Sequence, residues 1–140
     1  MLDSYRDLLD ELLETPNILR DRVGTDPAAE LPPGLLPLMI ELRDRDQVVL
    51  QRLQSLMRET DPYLPALSDN VAAKPGTDPA AVLAEFETAR GEVVSLLMNL
   101  SLKDWDRTGT HEIDGEITLA DEVERHVEFD EEHVARIGAL

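Results

Sequence analysis

Apolar residues recur at helical spacing along almost the whole chain, and this period restricts the fold more than any other feature. Apolar side chains three and four positions apart form a stripe on one face of an α-helix. The first stripe consists of Tyr5, Leu8, Leu9, Leu12 and Leu13. The alternation typical of a strand occurs only weakly, in a short piece at residues 112–117. The pattern therefore predicts an all-α protein.

Prolines, glycines and capping residues divide the helical pattern into four segments. Thr15-Pro16 interrupts the first stripe, and a threonine cap followed by proline predicts that a shorter helix restarts there. Pro32-Pro33-Gly34 precedes the second helix, which is predicted to end near Arg58. Asp78-Pro79 has the cap and first-turn proline of a third helix, and Thr118 is predicted to cap the last.

The segment between the second and third helices is long and carries no helical run. Residues 60–77 include three prolines, which is unusual for a connection inside a small domain. In a helical bundle such a segment can cross from one end to the other. Tyr63 and Leu64 are predicted to hold it against the core. With 140 residues, the chain is predicted to form a single domain, residues 1–140, folded as a four-helix bundle.

Charge and cysteine content exclude several classes of function. The chain has 30 acidic and 13 basic residues, a net charge of −17, so nucleic acid and anionic membrane surfaces should be repelled. It has no cysteine, which excludes disulfides, thiolate metal sites and cysteine nucleophiles. The first residues are acidic and amphipathic, unlike a secretory leader, and no apolar run approaches the ~20 residues that span a bilayer. We expect a cytoplasmic protein that binds neither nucleic acid nor membranes.

Polar residues interrupt the apolar face of the last helix. His126, Asp130 and His133 lie at i, i+4 and i+7, on the same face as the apolar positions. The second helix has a comparable interruption at Glu41 and at Arg45-Asp46. Core-facing imidazoles and carboxylates are costly unless they are hydrogen-bonded or bind a metal. A polar cluster between the second and last helices is therefore predicted.

Three interpretations of this cluster remain open from the residues alone. The first is a buried hydrogen-bond network in which Arg45 neutralises the carboxylates. The second is a divalent-metal site formed by His126, His133 and a carboxylate, and the third is a proton-transfer pair without metal. The Asp130-x-x-His133 spacing is similar to one element of di-iron bundles, but the second copy that such a site needs is missing.

The stretch from Asp104 to Ile137 resembles the DinB-like superfamily, in particular its small stand-alone members. Those members have a W-x-R-x-G-x-H segment, a glycine, a Thr-Leu helix start and a histidine-rich last helix. The matching residues in this chain are Trp105, Arg107, Gly109, His111, Gly115, Thr118 and Leu119. The segments ETPNIL and DPYLP are also similar to family segments. The resemblance implies an up-down-down-up four-helix bundle that is frequently a homodimer.

The resemblance also implies a metal site, and this chain departs from it there. Characterised relatives include thiol-dependent transferases and isomerases with a divalent metal on three histidines. One of these histidines comes from the second helix and two come from an H-x-x-x-H pair in the last. Glu41 stands at the first position, and the pair falls on Phe129 and His133. His126 matches a further histidine one turn earlier.

Our leading hypothesis is a DinB-like homodimer that has lost the metal site and is non-catalytic or functionally drifted. It would keep a polar pocket between the second and last helices, open to a small-molecule ligand. The alternative is a metal-dependent transferase or hydrolase in which Glu41, His126 and His133, with Asp130 as a further candidate, bind zinc, nickel or manganese. A third hypothesis is a structural or partner-binding dimer. The sequence alone does not decide whether the protein is an enzyme.

Overall fold

Four long helices make up most of the chain in the computed structural model, which describes residues 2–26, 29–67 and 76–140. They are α1 Leu2–Val23, α2 Leu35–Arg58, α3 Pro79–Met98 and α4 Leu119–Gly138. A small sheet lies at one end, with strands β1 Tyr63–Leu64, β2 Thr108–His111 and β3 Gly115–Thr118. Within the described ranges, no helix is both long and apolar enough to cross a membrane.

Local capping chemistry explains where the last two long helices begin. The Asp78 side chain accepts a hydrogen bond from the backbone of Ala80, and Pro79 occupies the first helical position. At the start of α4, the backbone N–H of Thr118 donates to the Asp121 carboxylate at 2.8 Å, and the backbone N–H of Asp121 donates to the Thr118 hydroxyl at 3.0 Å, which forms a capping box. Both predicted helix starts are confirmed.

The predicted restart of the first helix at Thr15-Pro16 is wrong, because α1 runs unbroken through this point. A proline inside a helix removes one backbone donor, here the donor that would bond the carbonyl of Leu12 four residues earlier. The Arg90 side chain supplies a substitute, since its Nη1 lies 2.7 Å from the Leu12 oxygen. The neighbouring Thr15 lies inside α1 and does not cap a helix; its hydroxyl donates a hydrogen bond to Asp130 at 2.8 Å.

Residue pairs between the helices fix their directions. Arg43 pairs with Glu85 and Asp46 pairs with Arg90, so positions advance together along α2 and α3 and the two helices run parallel. The connection between them must therefore return from one end of the bundle to the other. Residues 68–75 of this connection lie outside the described residues.

The first and last helices of the chain, α1 and α4, also run parallel to each other. Thr15 bonds Asp130, and Arg22 donates to the carbonyl of Leu140, so α1 and α4 advance together. The pairs between α2 and α4 run in opposite order: Glu41 with His133, Asp46 with His126, and Arg52 with Glu122. The bundle is therefore up-down-down-up.

The small sheet closes the end of the bundle at which α2 ends and α4 begins. β1 pairs parallel with β2, and β2 pairs antiparallel with β3, in the order β1-β2-β3. The extended piece expected at residues 112–117 is thus one arm of a hairpin. Leu64 is buried as predicted, whereas Tyr63 is 61% exposed and does not hold the connection to the core. Adjacent side chains in a strand point to opposite faces, so only one of the two can face inward.

Two apolar clusters form the core, and a layer of buried polar side chains separates them. The layer consists of Thr15 from α1, Asp46 from α2, Arg90 from α3, and His126 and Asp130 from α4. We call these five residues the central polar layer. The cluster on the sheet side includes Leu12, Val49, Leu53, Val93, Trp105 and Val127. The cluster on the other side includes Leu19, Leu35, Met39, Leu42, Phe86 and Ile137.

Candidate functional site

Arg90 is the centre of the polar layer and is itself only 2% exposed. Its Nε and Nη2 bond the two oxygens of Asp46 at 2.6 and 2.8 Å. Its Nη1 and Nη2 bond the two oxygens of Asp130 at 2.7 and 2.8 Å. Nη1 also donates to the Leu12 carbonyl at 2.7 Å. These contacts use all five N–H groups of the guanidinium, so the side chain is fully satisfied and joins α3 to the other three helices.

His126 joins the layer through Asp46. Its Nε2 lies 2.8 Å from Asp46 Oδ1 and 3.4 Å from Arg90 Nη2. The ionised carboxylate and the guanidinium leave one consistent assignment: Nε2 carries a hydrogen and donates to Asp46. Among the described residues, Nδ1 of His126 is buried and has no hydrogen-bond partner.

The charges in the layer reinforce each other. Burial alone would raise the pKa of Asp46, but His126 and the hydrogen bonds and charge of Arg90 outweigh it, so this pKa lies below its usual value. Burial alone would lower the pKa of Arg90, but Asp46 and Asp130 together hold it above its usual value. Both shifts stabilise the ionised forms, so Arg90 and Asp46 remain an ion pair near neutral pH.

The same residues also have the spacing of a metal site. Asp46, His126 and Asp130 each offer a ligand atom, and these atoms lie within 4.8 Å of one another. Two carboxylates and an imidazole are a donor set that divalent transition ions accept. The position between them, however, is taken by the Arg90 guanidinium, which bonds both carboxylates. With Arg90 in place, this cluster does not fit a metal ion.

A second polar group lies nearer the opposite end of the bundle, between α2 and α4. His133 is buried, and its Nε2 is 3.4 Å from Oε2 of the partly exposed Glu41. Nδ1 of His133 is 2.9 Å from the carbonyl oxygen of Phe129, and because a carbonyl only accepts, Nδ1 must carry the hydrogen. A neutral His133 would then present the Nε2 lone pair to the Glu41 carboxylate. Among the described residues Nε2 of His133 has no hydrogen-bond partner, and its contact with Glu41 is an ion pair only when His133 is protonated.

Phe129 packs directly against His133. The two ring centroids are 3.9 Å apart with an interplanar angle of 28°. The guanidinium carbon of Arg45 lies 4.2 Å from the centroid of the same phenyl ring, a distance at which a cation is attracted to the ring. Arg45 was predicted to neutralise the buried carboxylates; in the central polar layer, Arg90 pairs with Asp46 and Asp130.

Arg52 and Glu122 form a third buried pair, at the sheet end of the same helix interface. Nε of Arg52 is 2.8 Å from Glu122 Oε1, and Nη2 is 3.2 Å from Oε2. Nη1 donates to the carbonyl of Pro65 at 2.8 Å, which ties the connection after α2 to the bundle. Burial lowers the pKa of Arg52, although Glu122 acts in the opposite direction.

The four predicted metal ligands divide between two places. Glu41 and His133 face each other, whereas His126 and Asp130 belong to the central polar layer and bond Asp46 and Arg90. His111, the remaining histidine, is buried in the hairpin and accepts hydrogen bonds at Nδ1 from the backbone of Ile113 and Asp114. These bonds are local and stabilise the hairpin loop before α4.

Sequence reasoning missed Arg90 and Thr15. The signal for Arg90 was present: it lies four residues after Phe86 and three before Val93, on the apolar stripe of α3. A charged residue on such a stripe implies a buried partner. Thr15 was assigned to a helix cap because proline follows it, and its bond to Asp130 could not be anticipated from its neighbours.

The fold and site define a class of small helical bundles with two parallel middle helices and a polar interface between the second and last. The chain belongs to the DinB superfamily, whose family model matches residues 2–137. No match was found among curated proteins.

A solved structure similar to this chain is that of YfiT from Bacillus subtilis, described as a probable metal-dependent hydrolase with an unusual four-helix bundle topology. The TM-score is 0.82 at 20% sequence identity, and the match covers 99% of this chain and 86% of YfiT. At this level of identity, the likeness is one of fold.

Proposed function

We propose that this chain is a non-catalytic DinB-superfamily protein that has lost the metal centre of its relatives and keeps a polar site between α2 and α4. The supporting observation is the phenyl ring of Phe129, stacked on His133 at 3.9 Å. By the resemblance, Phe129 stands where the first histidine of the H-x-x-x-H pair is expected. A phenyl ring has no lone pair, so this position cannot bind a metal.

The surroundings of Phe129 also disfavour a metal ion. Without a ligand at position 129, Glu41 and His133 are the two candidate ligands that remain here. Catalytic zinc sites commonly use three protein ligands. The guanidinium of Arg45 contacts the phenyl ring and brings a positive charge to the same group of side chains. Glu41 remains partly exposed, so a small polar ligand could reach its carboxylate from solvent.

Metal analysis of the purified protein tests this proposal. The full chain is purified without chelators or an affinity metal, and its zinc, nickel and manganese contents are measured by plasma mass spectrometry. We expect much less than one equivalent of each metal. The variant His133→Ala is the matched control and should give the same values. A stoichiometric metal in the wild type that disappears in His133→Ala would show that the site is intact.

One distance favours a metal-dependent transferase or hydrolase as the second candidate. Two ligands about 2.1 Å from a tetrahedral ion lie about 3.4 Å apart, and Glu41 Oε2 and His133 Nε2 are separated by 3.4 Å. A bound metal would provide Lewis-acid activation of water or substrate. His126 was the predicted third ligand, but its Nε2 donates to Asp46, so this candidate needs His126 to rearrange.

A structural or partner-binding dimer is the third candidate, and an apolar groove between α1 and the end of α3 favours it. The groove has a volume of about 440 Å³, and Leu13, Met98 and Leu102 line it while being about half exposed or more. Tyr5 and Trp105 stack at 4.3 Å beneath it. We infer that a second copy of this chain covers the groove.

Sedimentation velocity at micromolar concentration tests the dimer. Wild type should sediment as a dimer, and Met98→Glu should sediment as a monomer because it places a charge in the apolar contact. Ile113→Glu is the matched control, since Ile113 is 74% exposed, close to the 67% of Met98, but lies on the hairpin. If wild type is already a monomer, or both variants remain dimeric, the groove is not the dimer interface.

A further inference from the structure

We propose that the central polar layer is a cation site closed by the chain's own cation, and that replacing Arg90 opens it to a divalent metal ion. The guanidinium of Arg90 lies between Asp46 and Asp130 and makes two hydrogen bonds to each. The proposal concerns none of Glu41, Phe129 and His133. It therefore stands or falls separately from the proposed function.

The ligand atoms that would remain after removal of Arg90 are already close together. One atom each from Asp46, His126 and Asp130 lie within 4.8 Å of one another. Zinc, manganese and nickel are bound in proteins by this combination of carboxylate oxygen and imidazole nitrogen. Thr15 bonds Asp130 and so holds that carboxylate in place from outside the cluster, as outer partners of metal ligands do.

Charge balance favours the exchange of one cation for another. Asp46 and Asp130 bring two negative charges into a buried layer, and Arg90 offsets one of them. Without Arg90, two buried carboxylates would face each other with no cation, an arrangement that proteins avoid by binding an ion or a proton. The two positive charges of a divalent ion would balance the carboxylates of Asp46 and Asp130.

The hydrogen bonds of Arg90 are also the reason why we expect the wild-type layer to bind no metal ion. All five N–H groups of the guanidinium are hydrogen-bonded at 2.6–2.8 Å. An entering ion would have to expel this side chain from a buried position and leave these donors unpaired. An arginine keeps its proton at all ordinary pH values, so base does not open the site.

Zinc titration of Arg90 variants tests the proposal. Wild type, Arg90→Met and Arg90→Lys are treated with chelator, dialysed and titrated with zinc chloride in an isothermal calorimeter. Methionine removes the charge but keeps a long helix-favouring side chain, whereas lysine keeps a positive charge. We expect Arg90→Met to bind one equivalent more zinc than wild type, and Arg90→Lys to bind no more than wild type. Equal stoichiometry for wild type and Arg90→Met would overturn the proposal.

A second comparison locates the extra zinc. The double variant Arg90→Met/His126→Gln lacks the imidazole ligand and should lose the additional equivalent. Zinc that persists in the double variant would place the ion elsewhere and contradict the proposal.

Imidazole ¹⁵N resonances test the closed state of the wild type, because the chain has three histidines and each gives its own signals. Excess zinc should leave the His126 resonances of wild type unchanged, and a shift of those resonances would mean that Arg90 does not close the site.

Folding of the variant is an additional readout. Metal binding to the native state contributes to folding, so zinc should raise the melting temperature of Arg90→Met, measured by circular dichroism, and leave that of Arg90→Lys unchanged. If Arg90→Met is unfolded without zinc, saturating zinc should restore its helical signal. A variant that stays unfolded at saturating zinc contradicts the proposal.

Discussion

Arg90 donates a hydrogen bond of 2.7 Å to the carbonyl oxygen of Leu12, on the neighbouring antiparallel helix. Pro16 deprives that carbonyl of its helical donor, so a defect in α1 is satisfied by a side chain of α3. The same guanidinium holds Asp46 and Asp130. The proline and the central polar layer therefore depend on each other.

A double-mutant cycle between Pro16 and Arg90 should reveal this dependence. Pro16→Ala restores the backbone donor to Leu12, which raises stability most where Arg90 no longer supplies one. We expect Pro16→Ala to stabilise the Arg90→Met background more than wild type, by about 1 kcal/mol, the value of one hydrogen bond. Urea unfolding of the four proteins gives the coupling. Equal effects in both backgrounds would mean that the Arg90–Leu12 bond contributes nothing measurable.

Loss of one partner of the central ion pairs should strongly destabilise the bundle. Asp130→Ala leaves Arg90 with unpaired donors in a buried layer and removes the nearer acceptor of the Thr15 hydroxyl. Breaking a buried ion pair in this way typically costs about 3–5 kcal/mol. Arg136→Ala is the control, because Arg136 pairs with Glu132 on the exposed face of the same helix, where such pairs contribute about 0.5 kcal/mol. Chemical denaturation measures both changes, and similar losses would contradict the buried role of Asp130.

The free energy of unfolding at acid pH should depend on the ionisation of Asp46. Its pKa is lowered in the folded protein relative to the usual value of 3.8. The unfolded chain therefore binds a proton at Asp46 more readily than the native state does. The stability that this group contributes is fully present above the unfolded pKa and is lost as the pH falls below 3.8 through the folded pKa.

The measurement is the free energy of unfolding by urea between pH 2 and 7, for wild type and for Asp46→Asn. Wild type should lose stability in the acid range, and the Asn variant should be less stable at neutral pH with a shallower loss below pH 4. Parallel curves for the two proteins would show that the ion pair of Asp46 with Arg90 is not coupled to folding.

The helices, their order and most of their ends could be predicted from the sequence because they depend on local chemistry. Apolar spacing defined the four stripes, and Asp78-Pro79 and Thr118 marked two helix starts that the structure confirms. The same local reasoning failed at Thr15-Pro16. The reason is physical: the side chain that repairs the proline defect comes from Arg90, 74 positions after Pro16 in the sequence.

The sequence correctly predicted where the polar residues lie, but it did not predict which partners they bond. The stripe on α4 correctly indicated buried polar residues at His126, Asp130 and His133. Helical spacing shows which face a residue occupies, but the rotation and level of the neighbouring helices decide its partner. Those are set by packing of the whole core, so the sequence alone did not separate the His133–Glu41 pair from the layer centred on Arg90.

Restoring a histidine at position 129 is the sharpest prediction for the metal site. Two histidines four residues apart lie one above the other on a helix and can bind one ion. Phe129→His would place such a pair at 129 and 133, opposite Glu41, whose carboxylate is 3.4 Å from His133. We expect this variant to purify with about one equivalent of zinc or nickel, measured by plasma mass spectrometry.

Phe129→Leu is the matched control for this gain. It also removes the phenyl ring from His133 and from Arg45, but it provides no lone pair, so it should remain metal-poor. The triple comparison of wild type, Phe129→Leu and Phe129→His separates the supply of a ligand from the mere removal of a bulky ring. If Phe129→His takes up no more metal than Phe129→Leu, then Glu41, position 129 and His133 do not converge on one ion. The assignment of Phe129 to a former ligand position would then be wrong.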